Sequence, residues 1–217
     1  MERTVLKSGE AYHIFNKSIA NYRIFSDERN CRRFMLILSY YNDINVERRL
    51  SDFLKCNKGY NYKPPPLFQS KRNQIVKFIA YCIMPDHYHL EVKLLKEKHI
   101  YRYLNNIGNS YTKYFNTRFN RKGPLWQSPY KSVRIKSSEQ LLHVSRYIHL
   151  NPTTAGLVNN PEEWEFSSYR EYINNPRILN EIMHEILIRD TKAYRRFVEN
   201  NKDYQRKLKL IQKLLHE

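Results

Sequence analysis

Two strand-like runs, residues 75–83 and 87–95, are separated only by Met84, Pro85 and Asp86, and this spacing restricts the fold more than any other feature of the chain. Such a short turn-forming connection makes the pair an antiparallel hairpin. Around it, residues 12–19 alternate loosely and are rich in strand formers, while 27–41 carry helical spacing at Cys31, Phe34, Met35, Ile37 and Leu38. Residues 99–119 are helix-compatible and 131–136 form a short strand. A further helix covers 138–150, capped by Ser137 or Ser138 and closed before Pro152. The order β, α, β, β, α, β, α predicts an α+β domain: a mainly antiparallel sheet of four to five strands, with helices on one face and the other face free. We place this core at residues 1–152. Residues 153–217 are expected to form a basic extension, irregular around Trp164 and Tyr169 and mostly helical from about residue 179.

The hairpin also carries the first candidate chemistry. His87 and His89 are two apart in a strand, so both imidazoles leave one face of the sheet while Tyr88 turns to the other. Two neutral imidazoles on one face form a metal platform, although an H-x-H pair is equally compatible with ordinary hydrogen-bonded histidines. Tyr147 and Asn151 are one helical turn apart and share a face. If that helix packs beside the histidine strand, Asn151 can complete a mixed nitrogen and oxygen site for Mg²⁺ or Mn²⁺, and Tyr147 can reach a phosphate held there. The plain alternatives are a core aromatic for Tyr147 and a helix terminator for Asn151. His143 shares the Tyr147 face; His149 points elsewhere.

Charge says what such a site would meet. Lys and Arg total 38 against 21 acids, a formal net charge of +17. The stretch from Lys93 to Lys136 holds eleven cations and a single acid, Glu97. A polyanionic partner is expected. Aromatic residues, 14% of the chain with 18 Tyr, interleave with these cations in the way expected of a groove that tracks a backbone and stacks bases, though an AT-rich genome also inflates Lys, Asn and Tyr together. The residues expected at DNA are Arg102, Lys113, Arg118, Arg121, Lys122, Lys131, Arg134 and Arg146, with Trp126 and Tyr130 as stacking rings. Cys31, Cys56 and Cys82 form no C-x-x-C pair and read as reduced thiols of a cytoplasmic protein. No apolar stretch approaches a membrane span, and no phosphate-binding G-x-x-x-x-G-K-[ST] loop is present.

Four boxes together resemble the REP-associated tyrosine transposases, a branch of the single-tyrosine HUH transposases. Met84-Pro85-Asp86-His87-Tyr88-His89-Leu90 is similar to that family's M-P-N/D-H-x-H-L box, and residues 110–116 to the helix before its basic turn. Residues 123–132, with Leu125-Trp126 and Tyr130-Lys131-Ser132, resemble G-x-L-W-x-x-x-Y-K-S, and Arg146-Tyr147-Ile148-His149-Leu150-Asn151-Pro152 resembles R-Y-I-x-L-N-P. Tyr88 is bulkier than the family's usual aliphatic residue, and Pro129 replaces the usual residue before Tyr130. The resemblance implies a ferredoxin-like or RRM-like core, His87, His89 and Asn151 as ligands of a divalent metal, and Tyr147 as nucleophile. It further implies cleavage and rejoining of hairpin-bearing single-stranded DNA through a 5′-phosphotyrosine, by a monomer or homodimer. The competing expectation is a non-catalytic protein that binds single-stranded nucleic acid. The proline-bearing insert at 57–70 has no assigned role.

Overall fold

A computed structural model describes residues 5–56, 62–69, 72–176, 178, 185, 188, 190–202 and 205. Residues 57–61 and 70 of the insert, and much of the chain beyond 176, lie outside that set. Four strands, β1 (Ala11–Lys17), β2 (Val76–Ile83), β3 (His87–Leu94) and β4 (Lys131–Ile135), form one sheet in the order β2-β3-β1-β4, with every neighbouring pair antiparallel. The helices are α1 (Glu28–Tyr41), α2 (Leu50–Lys55), α3 (Glu97–Arg118), α4 (Ser138–Thr154), α5 (Tyr169–Asn174) and α6 (Thr191–Glu199). The expected α+β order and hairpin are both present.

The pleat sorts the sheet into two chemistries. Tyr12, Ile14, Tyr88, Leu90 and Val92 point to one face and join a buried cluster with Phe34, Leu38, Ile100, Tyr103, Leu104 and Ile107 from α1 and α3. The α3 members recur at helical spacing, which gives that helix a single apolar stripe. Among the described residues ten tyrosines are buried, more than half of the 18 in the chain, so much of the tyrosine content fills the core rather than awaiting bases. Trp126 is among these core rings. It lies 5.6 Å from Tyr88 and 5.9 Å from Tyr111, and its indole N–H donates to the Gly108 carbonyl at 3.2 Å.

The second face is not free, as expected from the sequence, but partly roofed. Helix α4 lies over the β2 half, where Ile148 packs with Ala80, Cys82 and Met84. This is why β2 is buried along nearly its whole length rather than alternating. A bulge at Ile79, between the pairs Phe78–Val92 and Ala80–Glu91, leaves the Ile79 carbonyl to accept from the Tyr172 hydroxyl of α5. The chain after α4 thus docks on the sheet: Ser168 N–H donates to the Tyr81 carbonyl, and Tyr169, Tyr172, Tyr194 and Val198 join the main core.

Helix α4 also runs past its expected end. Pro152 lies inside it, and closure comes at Gly156, whose φ of +69° suits a residue without a Cβ. Leu157 N–H bonds the Pro152 carbonyl at 3.0 Å and Gly156 N–H the Thr153 carbonyl at 3.1 Å, the paired bonds of a Schellman motif. Proline is tolerated there because only one intrahelical bond is lost in the last turns, where the helix is already ending.

Candidate active site

The half-covered face presents, in cross-strand register, Lys17 opposite His87, Phe15 opposite His89, and His13 opposite Glu91. His87 and His89 leave β3 on this side, with ring centroids 5.0 Å apart and planes nearly perpendicular. Tyr88, between them, is buried in the opposite core against Phe34, which explains why a large ring is accommodated at that position.

Each histidine has an outer partner on its Nδ1. Asp86 Oδ1 lies 2.5 Å from His87 Nδ1, and Lys17 Nζ approaches the other carboxylate oxygen at 3.3 Å. Burial alone would raise the Asp86 pKa, but the His87 hydrogen bond and the Lys17 charge outweigh it and hold the carboxyl below its ordinary value. His89 Nδ1 lies 2.9 Å from His13 Nε2, and the two rings stack at 5.0 Å. Burial pushes His13 down to about 4; burial and the neighbouring histidines push His89 well below the usual imidazole range. Both are neutral at physiological pH.

Helix α4 brings Tyr147 to the same place. Its ring lies edge-on to His89 at 5.7 Å and to His13 at 6.2 Å, and 43% of its surface remains exposed. Burial of the rest raises the phenol pKa, while the neighbouring Asn151 side chain opposes the shift. Asn151 is itself buried, and its amide donates to the Tyr147 carbonyl at 3.0 Å. Among the described residues, no three His, Cys, Asp or Glu side chains group to hold a metal. The donors nevertheless fit one. Two imidazoles with their Nδ1 atoms taken by partners would offer Nε2 to a metal, the outer-partner pattern typical of metal-binding histidines, and an amide oxygen or substrate phosphate could supply the rest.

Of the cations expected at DNA, the structure brings Lys131 to this face, opposite Phe15. Arg134, on the same edge strand, pairs with Glu10 at 2.6 Å, and Arg146 stacks on Phe197 at 4.3 Å. Arg102, Lys113 and Arg118 belong to α3, behind the sheet, so the charge that is dense along the chain is divided between two sides of the molecule. Arg121 is held by Asn116 and the Pro124 carbonyl, Lys122 is exposed beside it, and Tyr130 is half-buried against the core. His143 bonds Arg146. Sequence reasoning missed His13, Lys17 and Glu91. Glu91 continues the His87 and His89 face, is fully buried, has no hydrogen-bond partner for either carboxyl oxygen among the described residues, and is driven by burial well above the ordinary carboxylate range.

Residues 67–151 match the family model for IS200-like transposases. That segment, less than half of the chain, contains the hairpin, the two histidines, Tyr147 and Asn151. The fold as a whole is similar to that of a REP-associated tyrosine transposase bound to a REP hairpin, with a TM-score of 0.53 and 15% identity over 81% of this chain and 86% of that one. A Deinococcus radiodurans R1 protein described as a transposase candidate aligns over 68% of this chain and 94% of its own at 15% identity, but its TM-score of 0.34 is too low to bear on the fold. No curated protein sequence matches the chain. Among the described residues, no helix is long and apolar enough to cross a membrane.

Proposed function

We propose that this chain is a transposase-like enzyme that cleaves and rejoins single-stranded DNA, with Tyr147 as nucleophile and His87, His89 and Asn151 as the residues that would hold Mg²⁺ or Mn²⁺. The observation that carries this reading is the 5.7 Å approach of the Tyr147 ring to His89 within one chain, with Asn151 one turn away. When bound, the metal would polarise the scissile phosphate and favour the phenolate. Tyr147 Oη attacks phosphorus, the bond from phosphorus to the 3′ oxygen breaks, and a 5′-phosphotyrosine and a free 3′-hydroxyl result. The phenol proton passes to solvent and the leaving oxygen takes one up. A second 3′-hydroxyl reverses the step, and because the ester is conserved in the covalent link no nucleotide is consumed. The neighbouring Asn151 side chain helps offset the raised phenol pKa. The fold shared with a protein bound to a REP hairpin supports a hairpin-bearing strand as substrate.

The test incubates the full chain with hairpin-bearing single-stranded DNA and Mn²⁺ and looks for a covalent adduct on denaturing gels. An adduct lost in Tyr147→Phe and in the double variant His87→Ala, His89→Ala supports the reading. DNA binding without adduct on any strand of a broad library points to a binding protein instead. Product formation that survives Tyr147→Phe points to hydrolysis by activated water.

A further inference from the structure

Behind the sheet, on the side away from Tyr147, helices α1, α2 and α3 enclose a cleft of about 840 Å³. Its walls carry Arg33, Arg49, Lys55, Lys113 and Arg118 against one carboxylate, Asp52. Only Arg118 is neutralised, by Asp27 at 2.6 Å. Arg49, Lys55 and Lys113 are exposed and form no ion pair among the described residues. Arg33 lies over the Tyr114 ring at 5.1 Å, and its buried Nε has no hydrogen-bond partner among the described residues. Like charges gathered without counter-charge repel one another, and a buried guanidinium N–H left unpaired is costly; a bound anion removes both penalties.

The shape selects among anions. Lining residues run along α3 from Asn106 to Arg118, about 18 Å at the helical rise of roughly 1.5 Å per residue. That matches about five nucleotides of a duplex strand, at about 3.4 Å per nucleotide, and far exceeds a single phosphate. We propose that the cleft between α1, α2 and α3 is a second nucleic-acid site, which takes the phosphate backbone of a DNA segment on the face of the molecule opposite Tyr147. The proposal rests on DNA as the partner but not on strand transfer. DNA that occupies both sites at once must pass round an edge of the sheet, so only a long substrate bridges them, whereas a short one seats on one face at a time.

The test measures binding of fluorescent DNA by the full-length Tyr147→Phe protein, in which no covalent chemistry intervenes, across a salt series. A long hairpin-bearing strand is compared with a short unpaired oligonucleotide. Adding Arg49→Ala and Lys55→Ala should reduce the slope of log K against log salt by about 1.4 to 1.8 for the long DNA, two contacts at about 0.7 to 0.9 each, and by less for the short one, which divides between the two faces. The charge-conserving pair Arg49→Lys, Lys55→Arg should keep the wild-type slope. An unchanged slope for long DNA overturns the proposal, as does equal loss on both lengths or a loss in the charge-conserving pair. Calorimetry with inorganic phosphate provides the remaining arm: saturable binding lost in the alanine pair, with the DNA slope intact, would assign the cleft to a small phosphate compound and overturn the nucleic-acid reading. Failure of the Tyr147 chemistry alone leaves every one of these readouts in place.

Discussion

Replacing His13 tests whether the active face is organised as described. A metal on His89 Nε2 requires the imidazole proton on Nδ1, and the group 2.9 Å away is His13 Nε2. His13 must then be the acceptor, which it can be only while neutral, and its burial, with a pKa near 4, keeps it so. In His13→Ala the His89 ring loses its acceptor and its stacking neighbour together. Outer partners of this kind change metal affinity or activity by about 10- to 100-fold, or about 1.4 to 2.7 kcal/mol. Calorimetric titration with Mn²⁺ should show His13→Ala weakened within that range, and the rate of Tyr147 adduct formation should fall with it. His13→Gln, whose amide oxygen can accept, should recover much of both. Unchanged Mn²⁺ affinity and adduct rate in His13→Ala would refute the assignment, since the hydrogen bond would then have no bearing on His89.

Other substitutions probe the scaffold and its geometry. Trp126→Ala should cost about 3 to 5 kcal/mol in denaturant unfolding, because the indole is a core ring, and should leave the DNA affinity of the folded fraction unchanged. Gly156→Ala should cost about 1 kcal/mol in thermal unfolding; nothing lies within 4 Å of the added Cβ, so the penalty comes from the positive φ alone. Burial raises Glu171 from 4.5 to about 7, so its stabilising contribution is complete below pH 4.5 and is lost as pH rises through 7, by at most about 3 kcal/mol. Glu171→Gln should therefore flatten the decline in stability between pH 5 and 8, as followed by urea unfolding. Mixing Tyr147→Phe with the His87→Ala, His89→Ala variant should restore no adduct, since Tyr147 faces the histidines of its own chain; restored adduct would show exchange between subunits.

Local signals reached the hairpin and the helix starts. The turn at Met84, Pro85 and Asp86 is set by residues next to one another, and Asp27 and Ser137 cap α1 and α4 through bonds to Arg29 and Gln140 N–H. The pairing of His87 with His89 follows from strand periodicity alone. His13 was invisible for the opposite reason: its partner is 76 residues away and the contact exists only through the β1–β3 register. Charge along α3 was legible as charge, but no linear pattern tells which side of a sheet a helix covers. Trp126 stands in a basic, aromatic stretch that suits DNA, yet its indole packs against the core rings and donates to the Gly108 carbonyl of α3. The passage of α4 through Pro152 depended on the closure at Gly156, several residues further on.

The residues after α4 explain why Tyr147 keeps its place. A single tyrosine on a helix covering half a sheet face would be free to swing unless something held the helix, and β2 alone offers Ile148 only a small apolar seat. His149, pointing away from Tyr147, supplies the hold. Its Nδ1 lies 2.7 Å from the Tyr194 hydroxyl of α6 and its Nε2 2.7 Å from Ser168 Oγ, which is itself bonded to the backbone of Tyr81 in β2. Burial pushes His149 down to about 3, so the ring stays neutral, with one nitrogen to donate and one to accept. Ser145, one turn earlier, reaches the same Tyr194 hydroxyl at 2.9 Å. Moving α4 would leave these buried groups unpaired at about 1 to 3 kcal/mol each, a cost that grows with every member of the network. The chain beyond residue 154 therefore acts as a clamp on the helix that carries Tyr147, and the face of α4 turned away from the histidine pair determines where Tyr147 points.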